Sequence, residues 1–411
     1  MLQLNPRIAS RLLRVTRQFE QSPESGREGG TPLNVPVYEA ELWTSRQRQA
    51  SSIHEVSYRA CFKPQLPAYF IERLTQEGDT VYDPFGGRGT TAIEAALRGR
   101  AVVTNDVNPL SAILTRPRLE PPSLADIDAR LRSLRFPARP RSGIDLSMFF
   151  HPDTEYEILG LREHLYRRLH GGKEDAVDRW IRMVATNRLT GHSPGFFSVY
   201  TLPPNQAVSP EDQMRINARL RQEPEYRDIR ALIRKKSTQL QGRLAAADRW
   251  RLRTAAESAR YLERDAAETA EIADESVQLA VTSPPFLDVV QYVRDNWLRC
   301  WFNGLDADTI GSRITMCRTV EEWAVAMARV FRELYRVTRP QGWVAFEVGE
   351  VRRGSVRLDE VVAPLGIAAG FQCIAILINA QSFTKTANIW GVRNNALGTN
   401  SNRIVLFKKP D

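Results

Sequence analysis

The sequence predicts an α/β fold, a doubly wound, mostly parallel sheet with a late antiparallel strand and a mostly helical inserted domain. Three observations carry this. Short apolar runs of strand length alternate with helical patterns in two separate parts of the chain. From Thr80 to Asp106, a strand, a glycine loop, a helix, a second strand and a terminal acid follow one another as in a single βαβ unit. From about Pro117 that rhythm stops, and helical patterns dominate until about residue 260.

Composition bounds the rest. The chain has 411 residues and 42% apolar content, enough for one large or two ordinary domains with a real core. Mean hydropathy is −0.37 and no apolar run reaches membrane length, which predicts a soluble, cytoplasmic protein. The start, Met1 to Arg7, has no apolar signal-peptide core. Cys61, Cys300, Cys317 and Cys373 are far apart and form no Cys-x-x-Cys pair, and the five histidines show no metal-ligand spacing. Net charge is +9, consistent with a polyanionic partner. Twelve Lys or Arg lie between Arg215 and Arg253, including Arg234, Lys235 and Lys236. They read equally as a solvated helix face or as a phosphate-contacting surface.

In chain order, residues 1 to about 35 read as a helical or loose arm, with loop signals at Ser22–Gly26 and Gly29–Pro32. The arm extends to residue 53. Leu66, Phe70, Ile71 and Leu74 define one face of a helix that Pro67 opens. Thr80–Asp83 is a strand, Pro84–Gly89 a tight loop, Thr90–Leu97 a helix and Ala101–Asp106 the next strand. Gly86, Gly87 and Gly89 allow positive φ and let a ligand lie on the backbone. Asp83 ends one strand. Asp106 ends the next, where an acid accepts bonds from ribose hydroxyls. Together these features point to a nucleoside cofactor.

The insert, residues 117–258, reads as helices over Tyr156–Leu169, Ala176–Arg188 and Glu211 to about Leu262 with breaks. The stretch from Thr190 to Pro204 mixes aromatics, hydroxyls, Gly and Pro. It either wraps a base or backbone, or is a helix connection packed by its own aromatics. His192 within it reads as a structural hydrogen-bonder before a catalytic base. The α/β rhythm then resumes, with Asp265 ending a third strand and Gln278–Val281 forming a buried one. Helices follow at Tyr292–Phe302, Val320–Val337 and Leu358–Ala369, and strands at Trp343–Val348, Phe371–Leu377 and Arg403–Phe407. The last two predict a hairpin at the sheet edge, with Gly398–Asn402 as its turn.

Ser283-Pro284-Pro285-Phe286 follows the buried strand. Two prolines cannot extend a central ladder, so the strand ends in a rigid loop at the carboxyl edge of the sheet. Alone, this is a Pro-rich turn after a core strand. With fixed acceptors at Ser283 and the Pro284 carbonyl, and a flat face at Phe286, it also suits a planar ring bearing an amino group.

These two stretches carry a resemblance. Asp83-Pro84-Phe85-Gly86-Gly87-Arg88-Gly89-Thr90-Thr91 resembles the cofactor loop of S-adenosylmethionine-dependent DNA amino-methyltransferases, and Thr282-Ser283-Pro284-Pro285-Phe286 resembles their catalytic motif. The resemblance covers about residues 54–116 and 260–409 and implies a Rossmann-like methyltransferase fold. It assigns Phe62 to the helix beside the methionine end of the cofactor, Asp106 to ribose and Asp265 to the adenine amino group. It places target recognition in the insert, and the order of parts resembles the alpha arrangement of these enzymes. The chain departs from the pattern at Arg88, where a small residue is usual and which therefore faces solvent or phosphate, and in Arg339-Pro340-Gln341-Gly342, which lacks a second glycine that is common there.

What the resemblance implies is methyl transfer from S-adenosylmethionine to the exocyclic amino group of a base flipped out of double-stranded DNA. Ser283, rather than Asp, is more usual in enzymes acting on cytosine N4, with adenine N6 as the alternative. None of the cysteines follows a proline, which disfavours carbon-5 methylation. A cognate restriction endonuclease is an allowed partner. Two other readings stay open: an RNA guanine-N2 methyltransferase, and a DNA-binding regulator on a decayed methyltransferase fold.

Overall fold

The computed structural model describes residues 13–19, 33–40, 50–58, 61–136, 143–201, 207–285, 292–314, 317–351, 356–380 and 401–411. The strands in chain order are β1 (Leu13–Phe19), β2 (Leu33–Ala40), β3 (Thr80–Asp83), β4 (Ala101–Asn105), β5 (Arg260–Leu262), β6 (Val277–Thr282), β7 (Thr338–Val348), β8 (Glu350–Val351), β9 (Val356–Arg357), β10 (Gln372–Ala380) and β11 (Ser401–Lys408). Among the described residues nine of them form one mixed sheet, ordered β1-β2-β10-β11-β7-β6-β3-β4-β5, while β8 and β9 pair separately. From β7 to β5 the strands are parallel; β11 lies antiparallel between β7 and β10. This is a Rossmann-like α/β sheet with late antiparallel strands.

Burial explains the strand patterns. Every residue of β6 is buried, so it reads as a continuous apolar run between two covered faces. One face meets Leu66, Phe70 and Ile71 of the helix Gln65–Leu74, together with the helices of the insert. The other face meets the helix Val320–Val337, which buries Trp323, Met327, Val330, Phe331, Leu334 and Val337. Thr319 and Glu322 close a capping box at the start of that helix.

Strand order reverses between β3 and β6, where each takes a different next neighbour. That is the switch point at which open α/β sheets leave a crevice beyond their carboxyl ends. The chain between β4 and β5 is mostly helical, with helices at Leu110–Leu119, Leu124–Ser133, Pro152–His170, Ala176–Arg188, Pro210–Leu220, Ile229–Gln241 and Ala246–Ser258. No described helix is long and apolar enough to cross a membrane.

Several local expectations fail for identifiable reasons. The N-terminal arm, for which disorder or an extended wrap is the other expectation, is extended and not helical over its described part: β1 and β2 pair antiparallel, and β2 runs parallel to β10. Val35 and Val37 face the core on either side of Pro36, a residue that argues against a strand in sequence. Consequently the β10–β11 hairpin lies inside the sheet and not at its edge. The third strand stops at Leu262, so Asp265 sits in the following turn. The turn expected at Gly398–Asn402 lies partly outside the described residues, and Ser401 and Asn402 belong to β11.

Candidate active site

The glycine loop is locked from three sides. Gly86 N donates to Asn105 O at 2.8 Å, and Gly89 N donates to Gly86 O at 2.6 Å. Asn105 Nδ2 reaches both Pro84 O, at 3.1 Å, and Arg264 O, at 3.0 Å, which ties the loop to the segment after β5. A Cβ on Gly86 would lie 2.2 Å from Thr104 Oγ1. Gly89 has φ +75° and would press a Cβ to 2.2 Å from Thr115 Oγ1. These glycines are dictated by close approach and backbone conformation.

Two acids stand at the strand ends. Asp83 is buried, and its Oδ1 accepts from Thr282 Oγ1 at 2.6 Å and from Phe85 N at 3.1 Å. Its buried Oδ2 has no hydrogen-bond partner among the described residues. Burial pushes the carboxyl up to about 6 against those hydrogen bonds. Asp106 accepts from Gly87 N at 2.8 Å and Asn108 N at 2.9 Å, and burial again pushes it to about 6.

Asp106 lines a cleft of about 940 Å³, part of which is open to solvent, and Asp83 directly precedes its wall residue Pro84. Among its walls are seven residues singled out by the sequence: Pro84, Phe85, Gly87, Asp106, Asp265, Ser283 and Pro285. Asp265 is half exposed and faces Arg329, 3.7 Å away. Met327, Val330 and Ala266 add an apolar side. This mix of apolar walls and a few converging polar groups is the usual form of a small-molecule site.

Other expected residues frame the cleft without lining it. Thr90 and Thr91 are buried; Thr90 Oγ1 accepts from Arg88 Nε at 3.2 Å, and Thr91 Oγ1 donates to Val281 O at 3.0 Å. Phe62 packs, half-buried, against the core on the insert side of the sheet. Arg88, expected to face solvent or phosphate, is half-buried, and its Nη1 donates to Val56 O at 3.1 Å. Pro284 is buried, and Phe286 lies outside the described residues.

The Ser283 loop has supports that the sequence did not announce. Ser283 lies beside the carboxylate of Glu347, and Asn402 Nδ2 donates to Glu347 Oε1 at 2.5 Å. Burial raises the Glu347 carboxyl above its usual range, against the opposing effect of Ser283 and Asn402. Trp323 Nε1 donates to Pro285 O at 3.0 Å. Tyr58 completes the cleft wall. A buried acid directly before the end of an apolar strand, as in Phe346-Glu347-Val348, is the signal that could have pointed to Glu347.

The suggested phosphate contacts look different in place. Lys236 is buried with Glu55 at 3.7 Å, and burial lowers its ammonium to about 8. Arg234 pairs with Asp128 at 3.0 Å, and Lys235 is exposed. In the loop after Thr190, Phe196 and Phe197 are buried and Arg188 stacks over Phe196, so its aromatics pack the connection. His192 is half-buried there, its ring centroid 6.1 Å from that of Phe196.

Comparison with known proteins gives the same region a relationship. Residues 19–111 match the DNA methylase family model for N6 and N4 enzymes. The type II methyltransferase M.MvaI of Kocuria varians is 27% identical over 128 residues, 30% of this chain and 25% of that protein. The type II methyltransferase M.MjaII of Methanocaldococcus jannaschii is 30% identical over 77 residues, 18% of this chain and 14% of that protein. The match thus spans a quarter or less of the length of these curated relatives. A solved Thermus thermophilus chain described as a DNA modification methylase, complexed with S-adenosyl-L-methionine, is 22% identical, over 36% of this chain and 54% of that chain, with a TM-score of 0.23. The family match thus runs from the end of β1 through the glycine loop and Asp106.

Proposed function

We propose that this chain is an S-adenosylmethionine-dependent DNA methyltransferase acting on the exocyclic amino group of a flipped base, cytosine N4 in the first place. The observation that carries the proposal is the convergence of the glycine loop and the Ser283-Pro284-Pro285 loop on one cleft at the switch point of the sheet.

The residues present fit the cofactor. Gly87 lines the cleft with open space where a Cβ would stand, the nearest atom there being Tyr58 at 3.8 Å, and Asp83 holds a buried oxygen without a partner among the described residues. Asp106 suits ribose hydroxyls, Asp265 an adenine amino group, and Phe85 with Met327 an adenine face. When bound, S-adenosylmethionine supplies an electrophilic methyl group.

The chain's own part is to hold the base amino group. The Glu347 carboxylate beside Ser283 can take the one hydroxyl proton, which leaves the hydroxyl lone pairs as acceptors for an N–H donor. The Pro284 carbonyl is a second acceptor. Trp323 fixes the loop through Pro285, so acceptor positions are set before a base arrives. Ser283 in place of Asp favours cytosine by resemblance. The helical insert, residues 117–258, is assigned to target recognition, and a cognate restriction endonuclease fits the type II relatives.

Incubation with S-adenosylmethionine carrying a tritiated methyl group tests the substrate class. Label is expected in duplex DNA and not in transfer RNA. Label confined to RNA, or absent from both, contradicts the proposal.

A further inference from the structure

The segment Ser52–Tyr58 runs across the sheet face to the cleft, and beyond the short turn Ser52–His54 it has no regular structure. Side chains from its surroundings hold its backbone. Arg118, fully buried, donates from Nη1 to Ile53 O at 3.3 Å, and Arg88 donates to Val56 O at 3.1 Å. The grip is closest at Ser57. Asn187 Nδ2 donates to Ser57 O at 2.8 Å, and Ser57 N donates to Asn187 Oδ1 at 3.2 Å. Arg299 Nη2 adds a third bond to Ser57 O at 3.2 Å.

Asn187 belongs to the helical insert, near the end of Ala176–Arg188, and is buried. Its amide pairs with both polar groups of one residue, which fixes the position and the direction of that backbone. Arg188 Nη2 donates to the same Oδ1 at 2.9 Å and so orients the amide. The next residue, Tyr58, is a wall of the cleft, with its ring edge 3.8 Å from where a Cβ on Gly87 would stand. A side chain on the insert thus holds the peptide that carries a cleft-lining ring. Burying an amide at this position costs desolvation that an apolar residue would avoid, so the two-point bond must return it.

We propose that Asn187 is a positioning residue which, through Ser57, sets the Tyr58 ring as a wall of the cofactor pocket, so that the insert takes part in cofactor binding. This rests on the reading of the cleft as the S-adenosylmethionine site. Positioning accounts for a coupling between Asn187 and Tyr58 that general packing does not.

The test is calorimetric titration of S-adenosylmethionine into the full chain, with circular dichroism to verify folding. Wild type binds; Tyr58→Ala and Asn187→Leu each bind about tenfold more weakly; Tyr58→Phe binds as wild type, because the ring forms the wall. The double variant binds no more weakly than Tyr58→Ala alone, since Asn187 acts through that ring. Thr186→Val, which loses the neighbouring bond from Asn303, leaves affinity unchanged. If Asn187→Leu does not fold, Asn187→Asp keeps the acceptor for Ser57 N and loses the donor to Ser57 O, and binds about threefold more weakly. Wild-type affinity in the Asn187 variants, or fully additive losses in the double variant, overturns the inference alone. A wild-type chain that does not bind S-adenosylmethionine overturns the reading of the cleft.

Discussion

The Thr282 hydroxyl donates to Asp83 Oδ1 at 2.6 Å, joining the last residue of β6 to the last residue of β3. The bond lies at the switch point, directly between the glycine loop and the Ser283 loop. It engages one oxygen of Asp83; the other is buried and has no hydrogen-bond partner among the described residues.

Asp83 gives a pH signature. Its folded value of about 6 lies above the ordinary value near 3.9. Between these the folded state binds the extra proton, so the contribution to stability is fully present below about pH 4 and is lost as pH rises through about 6. Urea midpoints of the wild type should fall from pH 4.5 to pH 7. Asp106 has the same sign, so Asp83→Asn should flatten the slope in part. Parallel profiles for the two proteins would remove the burial account of Asp83.

Gln341 takes φ +61° in β7, a left-handed conformation that favours glycine. Its backbone N–H donates to Lys409 O at 3.0 Å, so the conformation is held by the end of the last strand. Gln341→Gly should therefore stabilise the chain by about 0.5–1 kcal/mol in urea unfolding, the strain relieved less the entropy of the unfolded glycine. A destabilised variant would mean that the Gln side chain matters more than its backbone.

Gly89→Ala should do the reverse. Positive φ and the side chain of Thr115, with Oγ1 at 2.2 Å, oppose a Cβ there. A loss of about 1–3 kcal/mol is expected from the same measurement. Stability equal to wild type would show that the loop can shift.

Much of this was legible in the sequence because it depends on local chemistry. The glycines, strand-end acids and paired prolines each have a backbone reason to stand where they do, and Gly87, Asp106 and Pro285 of them meet at the cleft. Supports from distant chain were not legible. Glu347 reaches Ser283, Trp323 reaches Pro285, and Asn187 reaches Ser57 only through tertiary packing. Lys236 read as a surface cation because a charge run carries no information on burial. The strands β1 and β2 were missed because their pairing with each other, and with β10 far along the chain, outweighs a weak local signal.

Glu347 should control Ser283. Glu347→Gln keeps the shape but not the acceptor pair, and should slow methyl transfer by about 10–100-fold with cofactor affinity unchanged. Ser283→Ala should cost at least as much. Single-turnover rates together with binding titrations separate the two effects. Equal loss of cofactor affinity would move both residues to a binding role.

Burial of Lys236 predicts that it makes no phosphate contact. Lys236→Met should leave the salt dependence of DNA binding unchanged, where one lost contact changes the logarithmic slope by about 0.9. A slope reduced by that amount would place Lys236 on the DNA.

The measurement that bears most directly on the central claim is mass spectrometry of nucleosides from duplex DNA incubated with the chain and S-adenosylmethionine. N4-methylcytosine is the expected product. N6-methyladenine without N4-methylcytosine would contradict the choice of base, and DNA without either modified nucleoside would contradict the proposed activity.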